Sequence, residues 1–411
     1  MTAGERRLLY IDMAYTVDSV RQRQHGHFFD ARHSNGYFRR VWGVHPLADI
    51  AGKNSHAIET ISWSEDQTII EGVAESLPLP RFLLPANFLW SQGRLLARLK
   101  RLILDECIDV VSTSDPYYSG LVGLALKKLT GRPLIVSVFG NYDELHAATG
   151  ALAMPRLFRF HAVERRVARM VLGRADLVIT QNDNNMAAAK ANGARGRTVI
   201  IPAAKHVGPI HLVAPQKRGA PATLRKLGVD AGAPLLIYVG RFLALKHPDD
   251  AVRAMAEVIR QRPDSRGLLA GAGPMQSELE ALIDELGMTG RIQLTGQLDQ
   301  DELSRLLPHC ITLSPLTGMA LTESALAGSP MVVFDRDWQA DFVEDELNGY
   351  VVPFRDHRAM ADRALKIITN DAARRRMGRA ARKRALEYAD RDRIYTIEHS
   401  ELDQLLGCAP R

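Results

Sequence analysis

Two basic residues on one loop, a glycine-led turn and a glutamate five residues beyond that glycine are the groups in this 411-residue chain whose spacing could do chemistry together. Arg241 and Lys246 follow LLIYVG (235–240), an apolar, β-branched run of the length of a buried parallel strand. Pro248 then stands where a helix's first turn accepts proline, and Val252, Met255, Ala256 and Ile259 recur at helical spacing. The loop therefore joins the C-terminal end of a strand to a helix, the edge at which open α/β sheets bind ligands. Further on, ITLSP reads as a strand and TGMALTESALAG as a turn and helix. Gly318, Met319 and Ala320 would present free backbone N–H groups at that helix's N-terminus, where roughly half a positive charge favours phosphate. Glu323, more than one turn in, is placed to accept from vicinal hydroxyls such as those of a ribose, because an ionised carboxylate only accepts hydrogen bonds. A diphosphate attached to a ribose is what such a set would hold.

The same strand–loop–helix order recurs between these two segments. GLLAGAGP gives a strand and a glycine turn, with Gly271 and Gly273 permitting close backbone approach, before the amphipathic MQSELEALIDELG. RIQLTGQL precedes DQDELSRLL, where Asp299 and Glu302 have capping-box spacing. In this order GRFLALK, AGAGP, TGQLDQDEL and GMALTESALAGSP resemble the donor-binding half of a GT-B glycosyltransferase, most similar to the large retaining family 4, over residues 234–356. The resemblance implies an α/β chain of GT-B architecture, two Rossmann-like domains facing each other across a cleft. It implies Arg241 and Lys246 as the catalytic pair on the donor diphosphate, and Gly240, Gly273, Gln297, Leu298, Gly318, Met319, Ala320, Leu321 and Glu323 as donor-binding residues. The nucleoside-diphosphate sugar would be a co-substrate, with no cofactor and no divalent metal, since Arg, Lys and helix dipoles neutralise the leaving group in a GT-B site. DRD (335–337) and DQD (299–301) superficially match the acidic metal motif of the other glycosyltransferase fold, but capping already explains the second. Two positions depart from the family pattern. Pro315 stands where the first of two glutamates is usual, and Phe139 stands near where a sugar-contacting histidine is usual.

The length suits two domains, each with its own core. The expected division is an N-terminal acceptor-binding domain over 1–205, completed by a helix at 393–411, a Pro/Gly/Ala-rich crossing over 206–233, and a donor-binding domain over 234–392. RLLYID, IDVVST, RPLIVSV, ADLVIT and TVIIPA are five candidate strands of the first domain. Cys107, Cys310 and Cys408 are odd in number and lack CxxC spacing, which suggests neither a disulfide framework nor a zinc site. No run approaches the ~18 apolar residues of a membrane span, and MTAGERRLLYIDMAYT lacks a signal peptide's apolar core. A cytoplasmic location is expected, with a peripheral seat on the inner face of the plasma membrane left open. Residues 1–205 carry 26 Lys plus Arg against 19 Asp plus Glu, or +7 of the chain's +6, so the first half is the basic one and favours an acidic partner.

Three stretches of that half admit a functional and a bland reading. RQRQHGHFFDARHSNGYFRRVWGVHP mixes Arg, His and aromatics, yet no nucleic-acid fingerprint is present and no nucleic-acid partner is expected. Its open readings are a metal on His25, His27 and His33, an anionic acceptor on Arg21, Arg23, Arg32, Arg39 or Arg40, or a solvated basic surface. LPLPRFLLPANFLWSQGRLLARLKRLIL sets Phe82, Leu83, Leu84, Phe88, Leu89 and Trp90 before a helix with Leu95, Leu99 and Leu102 on one side and Arg94, Arg98 and Arg101 on another. That is the composition of an anchor to an anionic membrane surface, or of a helix that covers the sheet. Arg159, Arg165, Arg166 and Arg169 could extend the same basic surface. SVFGNYDE follows a strand, so Gly140, Asn141, Tyr142 and Asp143 are cleft or acceptor candidates, as are Ser114 and Asp115 after IDVVST, where Asp115 could equally be a helix cap.

The expected activity is transfer of a sugar from a nucleoside-diphosphate sugar to a hydroxyl of a glycan or glycolipid, in assembly of bacterial polysaccharide, lipopolysaccharide or glycolipid. Retention is implied by the resemblance alone. The rivals are a nucleotide-sugar epimerase and a catalytically degenerate nucleotide-sugar-binding protein.

Overall fold

The computed structural model describes residues 6–407 except 24–25, 52–55, 78–79, 81–82, 220, 227 and 230–231, so His25, Phe82 and Cys408 lie outside the described residues. The chain divides into two units, Met1–Pro202 with Asp392–Arg411, and Ala203–Arg391. Residues 206–233, read from composition as a crossing, therefore lie in the second unit.

The first unit holds strands β1 (Arg6–Ile11), β2 (Phe38–His45), β3 (Glu59–Ser62), β4 (Gln67–Glu71), β5 (Val110–Thr113), β6 (Leu134–Val138), β7 (Leu177–Thr180) and β8 (Arg197–Ile200). They form one sheet in the order β3-β4-β2-β1-β5-β6-β7-β8. Only β3 runs antiparallel, at an edge, so the middle of the sheet is covered on both faces and its strands are continuously apolar. The helix Arg391–Leu405 returns to this unit. Leu402 joins the cluster of Leu8, Tyr37, Val110 and Leu177, and Asp403 accepts from Tyr37 Oη at 2.8 Å.

The basic stretch near the N-terminus turns out to contain a central strand. Val41 to His45 are buried in β2 while Arg39 and Arg40 stay exposed, and Arg40 lies over the Trp42 ring. Arg32 is committed to Asp12 at 2.7 Å, and His33 Nδ1 donates to Phe38 O at 2.9 Å. The candidate membrane helix, Leu84–Asp105, buries Leu95, Leu99 and Ile103 in the core under the sheet, so its long apolar stripe serves packing. Exposed are Leu83 just before it, Leu89 and Trp90 most fully near its start, then Arg94, Arg98 and Arg101, and Leu104 at its end. Among the described residues, no helix is long and apolar enough to cross a membrane.

The second unit holds β9 (Leu235–Val239), β10 (Arg266–Ala270), β11 (Ile292–Gly296), β12 (Cys310–Ser314), β13 (Met331–Phe334) and β14 (Gly349–Val352). They make a wholly parallel sheet in the order β11-β10-β9-β12-β13-β14. The sheet grows from β9 in one direction through β10 and β11, then resumes on the other side of β9 with β12. In open α/β sheets, ligands bind outside the carboxyl ends of the strands where the order reverses in this way.

Candidate active site

In the second unit that reversal falls between β9 and β12, and the groups singled out from the sequence stand on the loops leaving these two strands. The β9 loop is held from beneath. Phe242 is fully buried, its N–H donates to Ala272 O at 3.0 Å, and its carbonyl accepts from Met275 N at 3.1 Å. A Cβ on Gly273 would meet Phe242 O at 2.5 Å, and one on Gly271 would meet Gly240 O at 1.9 Å. The glycines of AGAGP are thus required first for the β9 and β10 loops to lie against each other. That contact fixes the base from which Arg241 and Lys246 rise.

Arg241 is exposed, and no ion pair or side-chain hydrogen bond holds it among the described residues. Lys246 is half buried at the end of the short turn Ala244–Lys246. Burial pushes its ammonium below the ordinary lysine range and the Arg241 charge adds to this, while Asp337 opposes it. Two cations that raise each other's cost and are only partly compensated gain most from an incoming dianion. Gln297 is exposed and Leu298 partly buried, just past β11.

Beyond β12, the helix Met319–Leu326 begins at Gly318 with no side-chain cap, so its first-turn N–H groups have no side-chain acceptor. Gly318 is exposed, Met319 and Ala320 are half buried, and Leu321 is fully buried. The turn before the helix is fixed by a residue that sequence reading missed. Gln339, fully buried, donates through Nε2 to Pro315 O at 2.6 Å, Ser314 O at 3.2 Å and Phe334 O at 3.3 Å. Pro315, which cannot supply the usual carboxylate, is held there by its carbonyl.

Glu323 is buried, and burial alone lifts its carboxyl from 4.5 to about 7. His211 Nε2 lies 4.0 Å from Glu323 Oε1. The two do not form a charged pair at neutral pH, because burial lowers the imidazole to about 4. His211 Nε2 instead donates to Gln300 Oε1 at 2.6 Å.

One trio among the described residues, His247, Asp249 and Asp250, could offer a metal three ligand atoms within 4.8 Å of one another. It does not suit a cation. Arg355 already pairs with Asp250 at 2.7 Å and Asp249 at 3.1 Å, and Lys246 and Arg336 both act on His247. The two acidic tripeptides are likewise in structural use. Asp299 accepts from Glu302 N at 2.7 Å as a helix cap, while the Glu302 side chain turns to Thr223 N and so leaves the capping box half made. Asp337 Oδ1 accepts from the adjacent Trp338 N at 2.8 Å.

The first unit has its own reversal between β1 and β5. Asp12 follows β1 and Ser114 and Asp115 follow β5, which sets them on adjacent strands. Asp115 Oδ1 accepts from Tyr117 N at 2.8 Å, in the turn that leads into the helix Tyr118–Thr130, whose N-cap is Tyr117 and not Asp115. Burial lifts its carboxyl to about 6, with the Asp12 charge acting the same way and the Ser119 and Tyr117 hydrogen bonds opposing. Asp12 and His45, both buried at this edge, were not singled out from sequence. In the loop after β6, Asn141 caps the helix Tyr142–Thr149 by accepting from Glu144 N at 3.1 Å. Asp143 is taken by His161 at 3.1 Å and Asn192 at 2.6 Å, and Tyr142 packs edge-on against Tyr117. Gly140 is half buried, and Phe139 is 42% exposed, an apolar ring at a ligand-binding edge.

Both sheets, with reversals at their carboxyl edges and helices between their strands, define a GT-B fold. The chain superposes on a sucrose-phosphate synthase from Thermosynechococcus elongatus with a TM-score of 0.74 at 20% identity, covering 98% of this chain and 100% of that one. It superposes on Anabaena HepE, solved with UDP-glucose, with a TM-score of 0.71 at 16% identity, covering 97% and 100%. Residues 221–384 match the family described as Glycosyl transferases group 1, and residues 56–204 match the Glycosyl transferase 4-like domain. The fold is thus that of the GT-B glycosyltransferases, and each half of the chain separately matches a glycosyltransferase family similar to family 4. Among curated proteins, a D-inositol 3-phosphate glycosyltransferase of Nocardioides sp. is 29% identical over 195 residues, 43% of this chain and 41% of that protein. A 2-deoxystreptamine glucosyltransferase of Streptomyces kanamyceticus is 27% identical over 276 residues, 62% and 68%. The chain spans only 40% and 41% of the first two curated relatives it matches.

Proposed function

We propose that this chain transfers a sugar from a nucleoside-diphosphate sugar to a hydroxyl of a glycan or glycolipid, with retention at the anomeric carbon and without a resident divalent metal. The observation that carries the reading is that the Arg241–Lys246 loop and the uncapped helix start at Gly318 leave the carboxyl ends of adjacent parallel strands, β9 and β12, at the reversal of the sheet. As the bond from the anomeric carbon to the leaving oxygen breaks, negative charge grows on the diphosphate. Fixed cations and helix N–H groups stabilise that charge more than they stabilise the bound donor. Glu323 takes the ribose hydroxyls, and Gly240, Gly273, Gln297 and Leu298 line the nucleotide side. Ser114, Asp115 and Gly140, at the carboxyl edge of the first unit's own sheet, are the candidates for acceptor contacts.

UDP-glucose, with which HepE was solved, and the D-inositol 3-phosphate in the name of the Nocardioides enzyme favour a uridine donor and a polyol-bearing acceptor. Surface polysaccharide or glycolipid assembly is the setting we infer, at the inner face of the plasma membrane. The exposed Leu83, Leu89 and Trp90 beside Arg94, Arg98 and Arg101 support a peripheral seat there.

The test is incubation of the purified chain with UDP-, GDP-, ADP- and CDP-sugars, with and without polyol and glycolipid acceptors, in EDTA. Acceptor-dependent release of nucleoside diphosphate is expected. An isomerised donor without acceptor would establish an epimerase, and tight nucleotide binding with no turnover a degenerate binding protein.

A further inference from the structure

Glu323 sits in a setting that needs explaining. Its side chain is 8% exposed, yet no hydrogen bond reaches the carboxyl among the described residues, and its own helix supplies none. A carboxyl torsion is broad and roughly two-fold, so packing or a neighbouring group must decide which way its oxygens face. The polar side chain beside it is His211, from the short helix Pro209–Leu212.

His211 is fully buried. Its Nε2 hydrogen goes to Gln300 Oε1 at 2.6 Å, which fixes the neutral tautomer and the plane of the ring, and its Nδ1 is buried without a partner. The backbone is fixed as firmly. Arg218 Nη2 donates to His211 O at 2.6 Å and to Leu326 O at 3.1 Å, tying the histidine to the far end of the helix that carries Glu323. Arg382 Nη2 adds a bond to Leu212 O at 2.9 Å. Four segments distant in sequence thus register one imidazole against one carboxyl.

We infer that His211, oriented by Gln300, is a positioning residue that turns the Glu323 carboxylate to accept from the ribose hydroxyls of the donor. The inference rests on the proposed role of Glu323. The imidazole walls one side of the carboxyl and offers it no hydrogen, because Nε2–H is committed to Gln300. Both carboxyl oxygens therefore stay available to a ligand, and the ligand's hydroxyls complete the site. A histidine free to rotate would donate to Glu323 itself and compete with the ribose.

The experiment compares whichever of UDP, GDP and ADP binds the wild-type chain most tightly with its 2′,3′-dideoxy counterpart, by calorimetry. Wild type should prefer the ribose form at least 10-fold, in the range for hydrogen bonds to a charged group. Gln300→Leu and His211→Phe should reduce the preference to under 3-fold while leaving affinity for the dideoxy form within 2-fold, a ratio that general loosening of the fold would not shift. Should His211→Phe not fold, Gln300→Leu decides alone. If Glu323→Gln abolishes the preference and Gln300→Leu retains it, the inference is overturned and the role of Glu323 stands. If wild type shows no preference, or Glu323→Gln keeps it, the ribose role fails and the inference falls with it.

Discussion

Replacing Glu323 by glutamine should stabilise the free protein and weaken donor binding, and the stabilisation should depend on pH in a calculable way. The carboxyl titrates at 4.5 in an unfolded chain and about 7 in the fold, raised by burial. Between those values the unfolded chain has released the proton that the folded one keeps, so stability falls as pH rises through this window and the loss is complete above it. At 1.36 kcal/mol per unit, the loss at 25 °C is about 0.8 kcal/mol at pH 5 and about 3.3 kcal/mol at pH 8. Glutamine is nearly isosteric and does not titrate. The stability of Glu323→Gln relative to wild type should therefore improve by about 2.5 kcal/mol between pH 5 and pH 8. His211, held near 4, contributes to both proteins and cancels in the difference. Urea unfolding at the two pH values measures it. Donor affinity should move oppositely, rising in wild type as pH passes 7 and lost in the variant by about 1.5–3 kcal/mol. A stability difference equal at pH 5 and pH 8 would refute the burial argument.

Lys246→Ala should lower kcat about 10²- to 10³-fold with little change in stability, and Arg241→Ala similarly, because each removes a preorganised charge from the leaving group; wild-type kcat in a folded variant rules the assignment out. Gly273→Ala drives a Cβ into Phe242 O, so the β9 loop must shift, at a cost of about 1–3 kcal/mol in thermal unfolding and with weaker nucleotide binding. Gln339→Leu leaves the Pro315 and Ser314 carbonyls without their buried donor and should cost about 1–3 kcal/mol, together with donor affinity; unchanged affinity would detach the Gly318 turn from this amide. Vesicles containing anionic lipid should retain the chain at low salt and release it as salt rises, since exposed charges are screened over about 10 Å at 0.1 M, and Trp90→Ser should weaken retention.

What the sequence disclosed and what it hid divide along a physical line. The placement of Arg241, Lys246, Gly318 and Glu323 was legible because it follows from local order: a strand, the loop at its carboxyl end, the helix after it. The strands of the second unit announce themselves as apolar runs because a parallel sheet is buried on both faces. β2 was hidden because its buried half, VWGVH, follows two exposed arginines inside a stretch whose composition is dominated by charge. His211, Gln339 and Asp12 were hidden for a different reason. Each is defined by a partner distant in the chain, His211 by Gln300 and Glu323, Gln339 by Pro315, Asp12 by Arg32, and no local spacing encodes such a pair. Pro315 shows how far the two kinds of information can differ. Read locally it removes a carboxylate from the site. In the fold, Gln339 takes its carbonyl, so the turn into Gly318 is set by backbone and amide together. The N–H groups of the Gly318 turn, for which we propose a leaving diphosphate, therefore do not depend on the missing side chain, and the proposed charge stabilisation at this edge can persist where contacts to the transferred sugar have changed.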